Sequence, residues 1–347
     1  MSLRVDIQKR LGDFQLSVRF ETQGGVLGLL GASGCGKSMT LKCIAGVERP
    51  DRGTIVLDGE TLFDSERGID LPPQKRRVGY LFQTYALFPN MTVRQNILCG
   101  LRRERDRAKR EAELEKSLRL CRLEGLEDCR PHQLSGGQQQ RAALARILVS
   151  GPLVLLLDEP FSALDSHLRE KLQLELRELL SQFGRDAVMV THSRDEAYHM
   201  CSQLAVMEAG RLLAVKDTKA LFADPGSVAA CLLTGCKNIA PARKTGEREV
   251  EVPDWGVRLR TARPVRDDVR AVGVRAHRFR PDGQENRFPV EYLGEMEEPF
   301  GRIQEFRFQG QRAGTPPLWR RMPKELWDGS AAAELGVDPN HVLLLYE

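Results

Sequence analysis

The eight residues Gly31-Ala-Ser-Gly-Cys-Gly-Lys37-Ser38 constrain this chain more than any other stretch. They satisfy the spacing GxxxxGK[ST] and lie between an apolar strand candidate, Val26 to Leu30, and a helical pattern, MTLKCIAG, that Gly46 can close. Gly31, Gly34 and Gly36 permit a tight curl in which the backbone N–H groups of the loop, through Ala32, Ser33 and Cys35, and the helix N-terminus all face a phosphate. Lys37 adds a point charge toward the β- and γ-phosphates. Ser38 sets a hydroxyl where Mg2+ would bridge phosphate oxygens, and Met39, next in the helix, is counted with the loop among the expected ATP-binding residues. A glycine-rich turn by itself accounts for the glycines but not for the Lys-Ser pair in this context, so nucleotide binding is the expectation.

The rest of the front of the chain suits an α/β fold. Leu153 to Leu157 is a fully apolar run, as a central strand buried on both faces requires, and Ala187 to Thr191 and Leu204 to Met207 read the same way. Leu3 to Ile7, Phe14 to Phe20 and Thr54 to Leu57 alternate with period two. They predict an antiparallel edge layer beside a mostly parallel sheet. Between Thr84 and Ser150 the strand signals stop, and the charge run LRRERDRAKREAELEKSLRL reads as a solvated helix laced with salt bridges. After Cys236, prolines 241, 253, 264 and 281 punctuate short alternating runs, including GVRAHRF at 273–279 read as a strand. The expected division is therefore a domain over 1–235, with a helical subdomain at about 84–150, and a β-barrel-like domain over 236–347 with a regulatory or oligomerisation role.

Composition excludes several classes. The 347 residues suit about two domains. With 52 basic against 48 acidic side chains, a net charge of +4 is too balanced for a nucleic-acid surface, and no nucleic-acid partner is expected. Apolar runs fall far short of the roughly 18–20 residues that span a bilayer. The first residues lack the apolar core of a secretory signal, so the cytoplasm is the default compartment. The eight cysteines form no CxxC pair and read as reduced thiols.

A second chemical signal is LVLLLDEP at 153–160, where a buried strand delivers Asp158 and Glu159 to its carboxyl end, the edge at which ligands bind in open α/β sheets. Asp158 suits a carboxylate that holds Mg2+ through water, and Glu159 one that polarises an attacking water. Two further elements narrow the class: Leu134-Ser-Gly-Gly-Gln138 ahead of the helix QQQRAALARILVS, and a lone His192 after the strand AVMVT. With these the sequence resembles the ATP-binding subunits of ABC transporters over about residues 3–235. LSGGQ matches their signature motif, Gln83 after VGYLF their Q-loop, Ser162-Ala-Leu-Asp165 their D-loop, and His192 their switch histidine.

The resemblance implies a phosphate-loop NTPase cassette with ATP and Mg2+ as cofactors, and a head-to-tail homodimer. In that dimer Ser135, Gly136, Gly137, Gln138 and Asp165 of one copy meet the nucleotide held by the other. Glu159 then acts on water, His192 contacts the γ-phosphate, Lys37 neutralises charge, and Ser38, Gln83 and Asp158 serve the metal. Phe14 is the candidate adenine contact, with Leu11 at the likeliest aligned position. The cassette would sit on the cytoplasmic face of the cell membrane, served by separate permease subunits and, through them, a solute-binding protein. Tyr85, Leu87, Phe88 and Met91 either receive a permease helix or pack the helical subdomain. ERGIDLPPQKRRVGYLFQ at 66–83 resembles the molybdate-transporter ATPases, which ranks molybdate or tungstate first, sulfate second, and sugar, polyamine or iron after them. Soluble ABC ATPases that act on chromosomes or ribosomes are the rival class. Their long coiled-coil insertion or paired cassettes do not occur here.

Overall fold

The computed structural model describes residues 2–102, 104–162, 166–327 and 332–346. By their contacts they divide into two compact units, ending and beginning at Thr218 and Lys219. In the first unit the strands are β1 (Leu3–Leu11), β2 (Phe14–Glu21), β3 (Val26–Gly31), β4 (Arg52–Leu57), β5 (Glu60–Asp64), β6 (Ile69–Asp70), β7 (Val78–Leu81), β8 (Val154–Asp158), β9 (Ala187–Thr191), β10 (Gln203–Glu208) and β11 (Arg211–Asp217). The helices are α1 (Lys37–Ala45), α2 (Val93–Gly100), α3 (Arg107–Leu120), α4 (Gly136–Leu148), α5 (Ser166–Phe183) and α6 (Arg194–Met200).

The strands form one mixed sheet in the order β6-β5-β4-β1-β2-β11-β10-β3-β9-β8-β7. β10, β3, β9, β8 and β7 run parallel, while β6, β5, β4, β1 and β2 pair antiparallel, as the two kinds of hydrophobic pattern predicted. Every residue of β8 and β9 is buried, which is why these strands read as continuous apolar runs rather than alternating ones. Leu41 and Ile44 of α1 join Val154, Leu156, Val188 and Val190 in one core, so the helix behind the glycine loop is bedded on the centre of the sheet. Its far end is held by Arg76, whose buried guanidinium donates to the Cys43 and Ile44 carbonyls and to Asp70.

This topology positions the site. Leu30 of β3 stands beside Thr191 of β9, Val190 beside Asp158 of β8, and Leu157 beside Leu81 of β7. Parallel strands in that register end together, so the segments that follow them open at one edge. Among the described residues, 84–150 holds α2, α3 and α4 and no strand. Within the charge run Arg107–Leu120 forms α3, mostly exposed, with Leu114, Ser117 and Leu118 turned inward and an ion pair from Arg94 to Glu111.

Among its described residues the second unit contains three antiparallel sheets: Asn238–Pro241 with Ala271–Val274 and Leu343–Leu345; Arg243–Gly246 with Glu249–Val252 and Val257–Arg260; and Phe288–Glu298 with Gly301–Phe308, Leu318–Pro323 and Glu334–Leu335. They enclose a core in which Phe279, Phe306 and Phe308 meet edge to face. One expected strand is corrected. The strand read over 273–279 ends at Val274, and Ala276–Arg278 forms a single 3-10 turn. The cause is Arg275, whose guanidinium donates to the carbonyls of Thr234 and Phe222, while the Arg278 N–H closes the turn on the Arg275 carbonyl. The eight cysteines are free thiols. Burial pushes Cys43 and Cys121 up to about 12, so these two stay protonated and inert.

Candidate active site

The glycine loop folds as its composition demands. Gly34 and Gly36 take left-handed φ values of 79° and 103°. At Gly36 a Cβ would also stand 2.7 Å from Leu16 Cδ1 and 3.2 Å from Phe14 Cζ, so the position excludes a side chain twice over. Gly36 is the N-cap of α1, with no side-chain cap and no acidic residue in the first turn. The N–H groups there are left for an anion, with the helix dipole behind them. Lys37 is buried, and its Nζ donates to the Gly31 and Ala32 carbonyls at 2.8 Å each, which holds the ammonium inside the loop. Cys35 is buried beside it, its Sγ 3.8 Å from that Nζ.

Ser38 Oγ donates to Asp158 Oδ1 at 2.8 Å, and the Tyr80 hydroxyl donates to Asp158 Oδ2 at 2.8 Å. Burial, and then the neighbouring carboxylate, push the Tyr80 phenol well above its ordinary value, so it remains a donor. Mg2+ fits these donors: a hydroxyl and a carboxylate oxygen in contact are hard ligands, and the cation would complete its shell with phosphate and water. The next residue, Glu159, has a left-handed φ of 45°, uncommon for a residue with a Cβ. Its backbone is over-determined: the N–H donates to the Val190 carbonyl, and its carbonyl accepts from the N–H and hydroxyl of Ser162. The turn aims the carboxylate at two partners. Gln83 Nε2 donates to Oε2 at 3.4 Å, and His192 Nδ1 lies 3.4 Å from Oε1.

Of the expected site residues, the structure brings the loop 31–39, Gln83, Asp158, Glu159 and His192 to one edge of the sheet. A cleft of about 400 Å³ there is lined by Leu11 and Phe14 together with Ser33, Lys37, Ser38, Met39 and Glu159. Ser135, Gly136, Gly137 and Gln138 lie elsewhere, at the start of α4. There the Ser135 hydroxyl accepts from the Gln138 N–H at 3.3 Å and Gln138 Oε1 accepts from the Ser135 N–H at 2.8 Å, a reciprocal cap. Asp165 lies outside the described residues.

Sequence reasoning missed the residues that tie these parts together. Gln140 of α4 donates to the Pro160 carbonyl at 3.1 Å, just after Glu159. Arg146 of the same helix donates to the Tyr85 and Ala86 carbonyls, at 3.1 and 2.8 Å, where both residues hold left-handed φ values of 59° and 47°. No spacing in the sequence announces such contacts. Tyr85 is buried and packs the subdomain, whereas Phe88 is 44% exposed with the Arg146 guanidinium 5.4 Å from its ring centroid.

Known proteins resemble this chain in sequence and in fold. A family model described as ABC transporter matches residues 15–162. The chain is 44% identical over 245 residues to the spermidine/putrescine import ATP-binding protein PotA of Methylococcus capsulatus, covering 70% of this chain and 60% of that one. It is 41% identical over 224 residues to the molybdenum import ATP-binding protein ModC of Paramagnetospirillum magneticum, covering 65% and 61%. Against the Fe(3+) ions import ATP-binding protein FbpC of Haemophilus influenzae it is 39% identical over 245 residues, covering 70% and 68%. The matches thus span about 60% of the length of the first two relatives. Among solved structures, a dimeric post-hydrolysis state of the ATP-binding cassette MJ0796 bound to ADP and Pi aligns with a TM-score of 0.53 at 27% identity, covering 63% of this chain and 99% of that one.

Proposed function

Because this chain belongs to the ABC transporter ATP-binding family, we propose that it is the ATP-hydrolysing subunit of a solute importer. The observation that carries the reading is the convergence on Glu159. A glycine loop with a buried Lys37 and the Ser38–Asp158 pair stands on one side of it, and Gln83 and His192 both reach its carboxylate. That set serves phosphoryl transfer to water, in which positioning and charge neutralisation do most of the work. Lys37 and the loop N–H groups hold the β- and γ-phosphates. Glu159 orients the attacking water, and His192 steadies that carboxylate and contacts the γ-phosphate. Ser38, Asp158 and Gln83 would hold Mg2+, which would supply positive charge to offset that developing on the phosphate oxygens. Phe14 packs against adenine.

Ser135 to Gln138 open a helix away from this cleft, so their nucleotide belongs to a second copy; the reading requires a head-to-tail homodimer, with Asp165 at its interface. The solved relative MJ0796 is a dimeric cassette. No helix among the described residues is long and apolar enough to cross a membrane, and the pore is assigned to permease partners at the cytoplasmic face, fed by a solute-binding protein. For the solute, residues 66–83 favour molybdate or tungstate. The relatives' names include polyamine, molybdenum and iron, which supports a shared motor and leaves the choice of solute to the partners. The test is reconstitution with the cognate permease and binding protein: ATP hydrolysis should rise with molybdate or tungstate. Stimulation by sulfate, spermidine or ferric ion alone would reassign the solute, and no hydrolysis under any condition would remove the motor reading.

A further inference from the structure

Asp158 is held at both oxygens by two different elements. Ser38 of α1 donates to Oδ1 and Tyr80 of β7 donates to Oδ2, each at 2.8 Å. The second contact follows from strand register: Tyr80 stands beside Leu156 of the parallel neighbour β8, which makes Asp158, two residues on, its diagonal neighbour on the same face of the sheet. The ring is fixed in turn. Its centroid is 4.2 Å from that of Phe82, and it packs against the core that holds α1 to the sheet. Ser38 is itself a proposed ligand, so its hydroxyl would be shared between Asp158 and a bound cation. Tyr80 is not a proposed ligand, and its hydroxyl donates to the carboxylate oxygen that Ser38 leaves free.

We propose that Tyr80 is a positioning residue that fixes the plane of the Asp158 carboxylate, and thereby sets the affinity of this site for a divalent cation. The inference rests on the nucleotide-hydrolysis reading and adds to it the residue that tunes its metal requirement. A carboxylate restrained at Oδ1 alone turns about its Cβ–Cγ bond and must be ordered when a cation binds. With Oδ2 pinned, that ordering is already present in the metal-free chain, the usual service of a group standing behind a metal ligand.

Tyr80→Phe removes one oxygen and keeps the ring on Phe82. Mn2+ is titrated into the full chain saturated with ADP, free Mn2+ is read by electron paramagnetic resonance, and ADP affinity is measured separately in EDTA. The expected result is an Mn2+ dissociation constant raised about tenfold, the lower end of losses from such supporting groups, with metal-free ADP affinity unchanged. In turnover, the cation concentration for half-maximal rate should move more than the rate at saturation. Mn2+ affinity equal to that of the wild type would overturn the proposal, as would an equal loss of ADP affinity in EDTA, which marks a general distortion of the loop. A wild-type chain that binds ADP no better with Mn2+ than with EDTA would instead remove the hydrolysis reading beneath it.

Discussion

Two helices in this molecule begin at glycine-rich, phosphate-seeking sequences, and they begin differently. α1 starts at Gly36 with φ 103° and no side-chain cap, whereas α4 starts at Ser135, which exchanges hydrogen bonds with Gln138. The first leaves its N–H groups to be satisfied by a ligand; the second satisfies two donors from its own sequence. Lys37 sits in the loop of the first, and the paired carboxylates 158 and 159 stand across from it, while nothing comparable in the described contacts of α4 supplies a metal ligand or a water-directing acid. A single copy therefore carries one open phosphate cradle and one helix end already capped by its own side chains, which under the proposed function is presented to another copy's nucleotide. Asymmetry within the chain is the physical reason for expecting symmetry between chains.

The comparison can be broken at either helix. Gly36→Val forces a Cβ against Leu16 and Phe14 and a branched side chain into positive φ. Strain of about 2 kcal/mol there corresponds to roughly thirtyfold weaker ATP binding, checked by equilibrium titration of the single chain. Phe14→Ala should cost about tenfold in ATP affinity through lost base stacking and spare binding of inorganic tripolyphosphate; equal losses for both would take Phe14 away from adenine. Ser135→Ala has the smallest effect on a single copy. It removes the α4 cap at about 1 kcal/mol of stability, read from a denaturant midpoint. ATP affinity of the single chain should hold while turnover of the assembled dimer falls, and weakened binding to the single chain would erase the distinction between the two helix ends.

Local chemistry made much of this legible. The Lys37–Ser38 pair, the buried run ending at Asp158 and the strand before His192 each announce themselves within a dozen residues, because a loop, a central strand and a strand end have sequence rules of their own. The antiparallel layer was legible for the same reason, since period-two alternation in β1 and β2 reports one buried face. Tyr80 was not, because its role exists only in the register of β7 on β8. Arg146 and Gln140 read as ordinary members of an amphipathic helix until their carbonyl partners come into view. Arg275 shows the opposite failure. It continued an alternating run, and a long-range bond to Thr234 ended the strand instead.

The central claim is that Glu159, aimed by its left-handed turn at Gln83 and His192, directs water onto a nucleotide held by the first helix. Phosphate release by Glu159→Gln, measured beside sedimentation of the same sample with ATP, tests it most directly. The account predicts retained ATP binding, loss of phosphate release and accumulation of an ATP-bound dimer. Phosphate release at the wild-type rate would contradict it.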